Sequence, residues 1–311
     1  MRSVYTALAV LLAVSLVLWR LTPSVDPYDE SMQLVRAMLV LDGKVPHVDF
    51  WLIYPPMNCF LNAAVFSVLG ESVVSARLLQ GALFLAVVGG LMLHVTRQVG
   101  ASTPLGVLAV LIVGKTFKAT GWNPFAVGFL GFLVYLRSSS ASTRSRYLLL
   151  VLSGLLIGLA LTFKLNFAAY FVLAIGLDLL REPFLASDAR ARRQSLRQAL
   201  LGGLCVAVPI LLCGAGLLAW YGAAVHELVS QALLFPAGPV QIHRRLTLHH
   251  PTQLRFLMAA LLPPVWIAIR SGRLRLERPS RSTWATAGGL LALGLFLAGV
   301  GRYYAIAWPN A

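Results

Sequence analysis

The sequence predicts an all-α, polytopic membrane protein, a bundle of about nine spans with short helices on its outer face. Three observations lead there. Of the 311 residues, 58% are hydrophobic and 12% charged, which is too apolar for a water-soluble domain. Apolar stretches near span length recur along the chain, at about 4–21, 57–70, 78–95, 103–120, 122–137, 147–163, 165–181, 199–220, 252–269 and 284–303. The arginines gather in short linkers between those stretches, as they do in cytoplasmic loops.

Residues 1–21 show no small-x-small cleavage pattern before Thr22 and are followed by more spans, so they read as an uncleaved first span with Arg2 inside. The linkers at 137–146, 181–197 and 270–281 carry Arg137, Arg144 and Arg146, then Arg181, Arg190, Arg192, Arg193 and Arg197, then Arg270, Arg273, Arg275, Arg278 and Arg281. All three are expected in the cytoplasm. Counting back, 122–137 runs inward, 103–120 outward and 78–95 inward, which leaves the loop 22–77 outside. That parity holds only if 57–70, "MNCFLNAAVFSVLG", does not cross. It is therefore expected as a juxtamembrane or re-entrant helix, and the C-terminus as external. Residues 182–197 read as an amphipathic surface helix. The whole chain, 1–311, is one transmembrane domain with two sizeable outer loops, 22–77 and 221–251.

The net charge of +15, from 26 basic and 11 acidic residues, sits largely in those linkers. It argues for topology and against nucleic-acid binding. Cys59, Cys205 and Cys213 have no metal-ligand spacing.

The acidic residues concentrate elsewhere. Five of the eleven, Asp26, Asp29, Glu30, Asp42 and Asp49, fall between Ser24 and Asn58. Within that stretch, 31–41 suits a helix lying on the membrane face. Asp29 and Glu30 come at its first turn, where unpaired amides favour a carboxylate. Helix capping accounts for acids there. So does chemistry, since a carboxylate beside a wet pocket can take the proton of an attacking hydroxyl. Gly43 ends the helix, Pro46 stiffens the return, and Asp49 arrives just ahead of Tyr54-Pro55-Pro56, which opens the 57–70 helix at little cost.

The series Asp29-Glu30, Ala37, Gly43, Pro46, Asp49-Phe50, Tyr54-Pro55-Pro56, Gly70 and Arg77 resembles the N-terminal part of membrane glycosyltransferases of the GT-C type. These include protein mannosyltransferases, lipid A aminoarabinose transferases and related bacterial enzymes. The resemblance covers about residues 1–100. Beyond that it rests on hydropathy, on "ALTFK" at 160–164 and on "GRYY…P" at 301–309. It implies a polyprenyl-phosphate-linked sugar donor, transfer to a hydroxyl with inversion, and a site on the outer, periplasmic side of a bacterial inner membrane. It implies Asp29 as the catalytic carboxylate, a general base, with Glu30 as its neighbour. Asp49 and Tyr54 are candidates for acceptor or metal contact, and Gly43, Pro55, Pro56 and Arg77 are structural. No particular cofactor is implied, and a divalent cation at Asp29 or Asp49 stays open.

In this topology Lys115, Lys118, Lys164, Arg244, Arg245, Arg255 and Arg302 fall at outer ends of spans, against the inside-positive trend. A lipid phosphate would explain them, as would ordinary snorkelling. Lys164, Arg244, Arg245 and Arg302, with the Tyr303 phenol beside the last, are the donor-phosphate candidates. His243, His249 and His250 share the second outer loop with no carboxylate close in sequence. Sugar identity and acceptor, whether glycan, lipid or protein, are not readable. A polar-lipid transporter or flippase, and a non-catalytic transferase-like partner, are the rival classes. The chain stops two residues after Pro309, where the resembling enzymes open another span, so a compact member or an incomplete chain is expected.

Overall fold

The computed structural model describes residues 11–15, 17–18, 21, 29–94, 122–139, 141–186 and 188–234. The stretches at 103–120, 252–269 and 284–303, and most of 4–21, lie outside the described residues. The described chain is mostly helical, with short connections apart from the longer loop at 42–56. It runs α1 (Asp29–Leu41), α2 (Met57–Leu69), α3 (Val73–His94), α4 (Trp122–Ser138), α5 (Thr143–Phe163), α6 (Leu165–Leu185) and α7 (Ala189–Tyr221). A 3₁₀ turn (Gly222–Ala224), a short α8 (Val225–Val229) and a π-helical turn (Ser230–Leu234) follow.

Three of these segments, Val73–His94, Thr143–Phe163 and Ala189–Ala232, are long and apolar enough to cross a membrane. The 13 residues of α2 reach only ~20 Å at 1.5 Å per residue, short of a hydrocarbon core of ~30 Å. The protein is an all-α polytopic membrane protein.

Helix directions follow from the contacts. Gly128 and Gly131 of α4 face Ala160 and Ile157 of α5, so these two run antiparallel. Phe125, Phe129 and Phe132 stack along Phe171, and Tyr135 reaches Asp178, so α4 and α6 run parallel. The chain reverses between α5 and α6 at a single extended residue, Lys164 (φ −165°, ψ 115°). The phenylalanines fill the core with Phe84, Leu150 and Ile157. Their rings lie 5.5–6.4 Å apart, in the tilted and offset arrangements that the ring quadrupole favours.

Where α5 crosses α7, Gly154 and Gly158 form a small-xxx-small pair that brings the backbones together. A Cβ on Gly158 would stand 2.9 Å from the Ile210 Cα, and one on Gly154 would overlap the Val206 carbonyl. Gly154→Leu is expected to force the two helices apart and to cost about 1–3 kcal/mol or more. Thermal unfolding in detergent, with Gly176→Leu as a control in open space, measures it.

The amphipathic surface helix expected at 182–197 is not a separate element. Asp188 caps a new helix, its Oδ1 accepting from the Ala191 N–H at 2.7 Å, and that helix continues unbroken to Tyr221. Good helix formers run from Ala189 through the arginines into the apolar stretch, so nothing interrupts it near 198. At 33 residues, ~50 Å, α7 is longer than the hydrocarbon core, and its first turns carry Arg190, Arg192, Arg193 and Arg197.

Candidate functional site

The helix between Asp29 and Leu41 ends in a Schellman turn. Gly43 takes φ 79°, its N–H donates to the Val40 carbonyl, and the Lys44 N–H donates to the Leu39 carbonyl. This turns the chain back across the end of the bundle. The return loop is pinned by Asp49, whose Oδ2 accepts from the Val45 N–H at 2.6 Å. Pro56 then leads into α2. The helices α1 and α2 pack against each other through Ala37, Ala63 and Phe66, with Ala76 of α3. Met57 and Leu61 of α2 lie against Val127, Ala160 and Phe163. Phe60 of α2 meets Trp220 edge to face at 5.1 Å.

Four helix ends converge on this loop. From α3, Arg77 donates from Nε and Nη2 to both oxygens of Glu30, each at 2.7 Å. The pair is close to buried, with 7% and 17% of the two side chains exposed. Such a fork is the strong form of an ion pair. From α4, Asn123 donates to Asn58 Oδ1 at 2.8 Å, and Asn58 donates to Gln33 Oε1 at 2.5 Å. Between α5 and α6, the Lys164 ammonium stands 4.2 Å from the centre of the Tyr54 ring, a cation–π contact. From the end of α7, Tyr221 meets His47. By helix direction, the arginine-bearing ends of α4, α5 and α7 lie at the opposite end of the bundle.

His47 is 2% exposed. Its Nδ1 lies 2.6 Å from the Tyr221 hydroxyl and its Nε2 lies 3.1 Å from the Tyr54 carbonyl. A carbonyl only accepts, so Nε2 carries the proton. Burial lowers the imidazole pKa and favours the neutral ring, in which Nδ1 then accepts from the tyrosine. Gln231 donates to the His47 carbonyl at 2.9 Å and accepts from the Leu52 N–H at 3.1 Å. The Cys59 thiol, by contrast, is pushed up to about 11 by burial, which makes it a poor nucleophile at neutral pH.

The structure thus joins Glu30 to Arg77 and Tyr54 to Lys164, and sets Asp49 in an exposed turn. The backbone of Asp29 opens α1, one helical turn ahead of Gln33. The Asp29 side chain, and all of Arg244, Arg245, Arg302 and Tyr303, lie outside the described residues. So do Lys115, Lys118, Arg255 and the histidines at 243, 249 and 250. Among the described residues no group of three His, Cys, Asp or Glu side chains could hold a metal ion.

Sequence reasoning passed over His47, Tyr221 and Gln231, and the carboxamides Gln33, Asn58, Asn62 and Asn123. The second group had a signal. Asn58 and Asn62 stand four apart in an otherwise apolar helix, and Asn123 begins another, and amides in such surroundings need partners. Asn62 and Asn123 are each 2% exposed, and among the described residues no donor meets their Oδ1 atoms. The first group had none, because Tyr221 and Gln231 lie 174 and 184 residues from His47 in sequence.

No protein-family model matches the chain, and a search of curated proteins returns no match. Among solved structures, the chain is similar to ArnT from Cupriavidus metallidurans in the apo state, with a TM-score of 0.55 and 17% identity. The likeness covers 96% of this chain and 59% of that one. It gives the protein a GT-C-like fold.

Proposed function

We propose that the protein transfers a sugar from a polyprenyl-phosphate donor to a hydroxyl acceptor at the outer face of the membrane, with Asp29 as general base. The observation that carries this reading is the convergence just described. The start of α1, Tyr54 with Lys164, and the Glu30–Arg77 clamp meet at one end of a bundle. That bundle resembles ArnT, a GT-C aminoarabinose transferase.

In this mechanism the carrier lies in the outer leaflet with its phosphate at headgroup depth. Asp29 accepts the acceptor's hydroxyl proton as the oxygen attacks the anomeric carbon from the face opposite the phosphate. The C–O bond to the phosphate breaks and its electron pair leaves with the carrier, so the anomeric configuration inverts. A phosphate leaves without a strong acid but needs positive charge nearby, and Lys164 supplies it. Arg244, Arg245 and Arg302, with the Tyr303 phenol, are the further candidates for that charge. Asp49 and Tyr54 remain the candidates for acceptor contact. The Glu30–Arg77 pair fixes the first turn of α1, and with it the base.

The test is turnover of a panel of polyprenyl-phosphate sugars in proteoliposomes. Transfer or donor hydrolysis by the wild-type chain is expected for at least one donor. Lys164→Gln should raise the donor KM by about 10–100-fold, the equivalent of a charge-assisted hydrogen bond of ~1.5–3 kcal/mol, and Lys164→Arg should restore most of it. Transport of a lipid across the bilayer with no chemical change would reject the reading.

A further inference from the structure

Among the described residues, His47 is the non-glycine residue with positive φ, at 66°. A side chain with a Cβ adopts that geometry where its surroundings hold it there, and such outliers gather at functional sites. Here the holders are visible. The imidazole is clasped between the Tyr221 hydroxyl at 2.6 Å and the Tyr54 carbonyl at 3.1 Å, with the Tyr221 ring edge-on at 5.5 Å. One carboxamide, Gln231, grips the backbone on either side, at the His47 carbonyl and the Leu52 N–H. The next link is Tyr54 itself, whose ring lies under the Lys164 ammonium at 4.2 Å.

A continuous relay therefore runs from the end of α7 through His47 and the Tyr54 backbone to Lys164. The local backbone shares in holding the residue: the His47 N–H donates to the Phe50 carbonyl at 2.9 Å, and the Tyr221 hydroxyl also lies 3.1 Å from the Pro46 carbonyl. An apolar side chain at 47 would fill the same space but could not fix the Tyr54 carbonyl.

We infer that His47 is a positioning residue of the donor-phosphate site: locked by Tyr221 and Gln231, it sets Tyr54 and through it the place of the Lys164 ammonium. The inference rests on the proposed role of Lys164. It adds that residues at the end of α7 and beyond α8 govern donor affinity without touching the donor.

Tyr221→Phe is the sharpest test, because it keeps the ring and removes the hydroxyl. His47→Asn is the second variant, since asparagine tolerates positive φ and keeps a polar group. Both are assayed in the full chain in proteoliposomes for KM and kcat, and in nanodiscs for binding of polyprenyl phosphate itself. Tyr221→Phe is expected to raise the donor KM and weaken polyprenyl-phosphate binding about 5–20-fold, with kcat within about twofold, and His47→Asn to lose less than His47→Ala. On a Lys164→Gln background Tyr221→Phe should have almost no further effect on either, because it acts through Lys164. Equal loss on both backgrounds, or unchanged binding at an unchanged melting temperature, overturns the inference and leaves a purely structural clasp. Binding that responds as expected in a chain that transfers no sugar would sink the transferase reading and keep the inference. Absence of polyprenyl-phosphate binding by the wild type would overturn both.

Discussion

Asp29→Asn is expected to lower kcat for sugar transfer by about 10²–10⁴-fold, the usual contribution of a positioned general base. Donor KM should stay within about threefold, because the substitution keeps size and an acceptor oxygen and loses only the ability to take a proton. Position supports the choice. Asp29 begins α1, where unpaired amides stabilise a carboxylate, and the following residue is anchored to α3. Two of the loop's other acids are engaged in holding it. Both Glu30 oxygens accept from Arg77, and Asp49 Oδ2 accepts from the Val45 N–H. Wild-type turnover in Asp29→Asn would sink the assignment and return attention to Glu30 and Asp49.

Arg77→Met is expected to cost about 3–5 kcal/mol of stability, because it takes the guanidinium fork away from a Glu30 carboxylate that is close to buried. Glu30→Gln should cost less, since a neutral amide still accepts from the guanidinium. The double variant Glu30→Leu/Arg77→Met should recover much of the loss, as apolar replacements of buried ion pairs commonly do. Unfolding of the four proteins in one detergent completes the cycle. It also separates two roles for Glu30. A clamp loses melting temperature, and its kcat follows the folded fraction. A base would lose kcat at an unchanged melting temperature in Glu30→Gln, and that result would refute the clamp.

The carboxamide row across α1, α2 and α4 invites the same logic on a smaller scale. Asn123→Leu removes the donor to Asn58 Oδ1 together with Asn123 Oδ1, which no donor among the described residues meets, so its stability effect should be small, within about 1 kcal/mol. Asn123→Asp would place a charge in the same buried position and should be far worse.

Much of the architecture could be read from the chain because its causes are local or one-dimensional. Hydropathy and the alternation of arginine-rich linkers mark an all-α membrane bundle. A glycine that must take positive φ, Gly43, and the Pro55-Pro56 pair bracket the ends of α1 and α2. The shortness of α2 argues against a span from length alone. The segment 182–197 reads as a separate helix because a change from polar to apolar composition looks like a boundary, while a helix stops only where its backbone hydrogen bonding stops. That happens at Asp188, not near 198.

At the site, the residue types were legible and their partners were not. Glu30, Arg77, Tyr54 and Lys164 each stood out by charge or motif in an apolar chain. That Glu30 meets Arg77 and Tyr54 meets Lys164 depends on how α1, α3 and the α5–α6 turn pack, over separations of 47 residues and more. His47, Tyr221 and Gln231 carried no mark in the sequence. A histidine among prolines or a tyrosine at a helix end is ordinary until a neighbour 174 residues away closes on it. Local sequence determined where helices start, stop and insert, because propensity, capping and transfer into lipid act on short segments. Only the tertiary structure decided which polar groups share the buried end of the bundle, because that depends on the simultaneous pairing of side chains which no segment contains by itself.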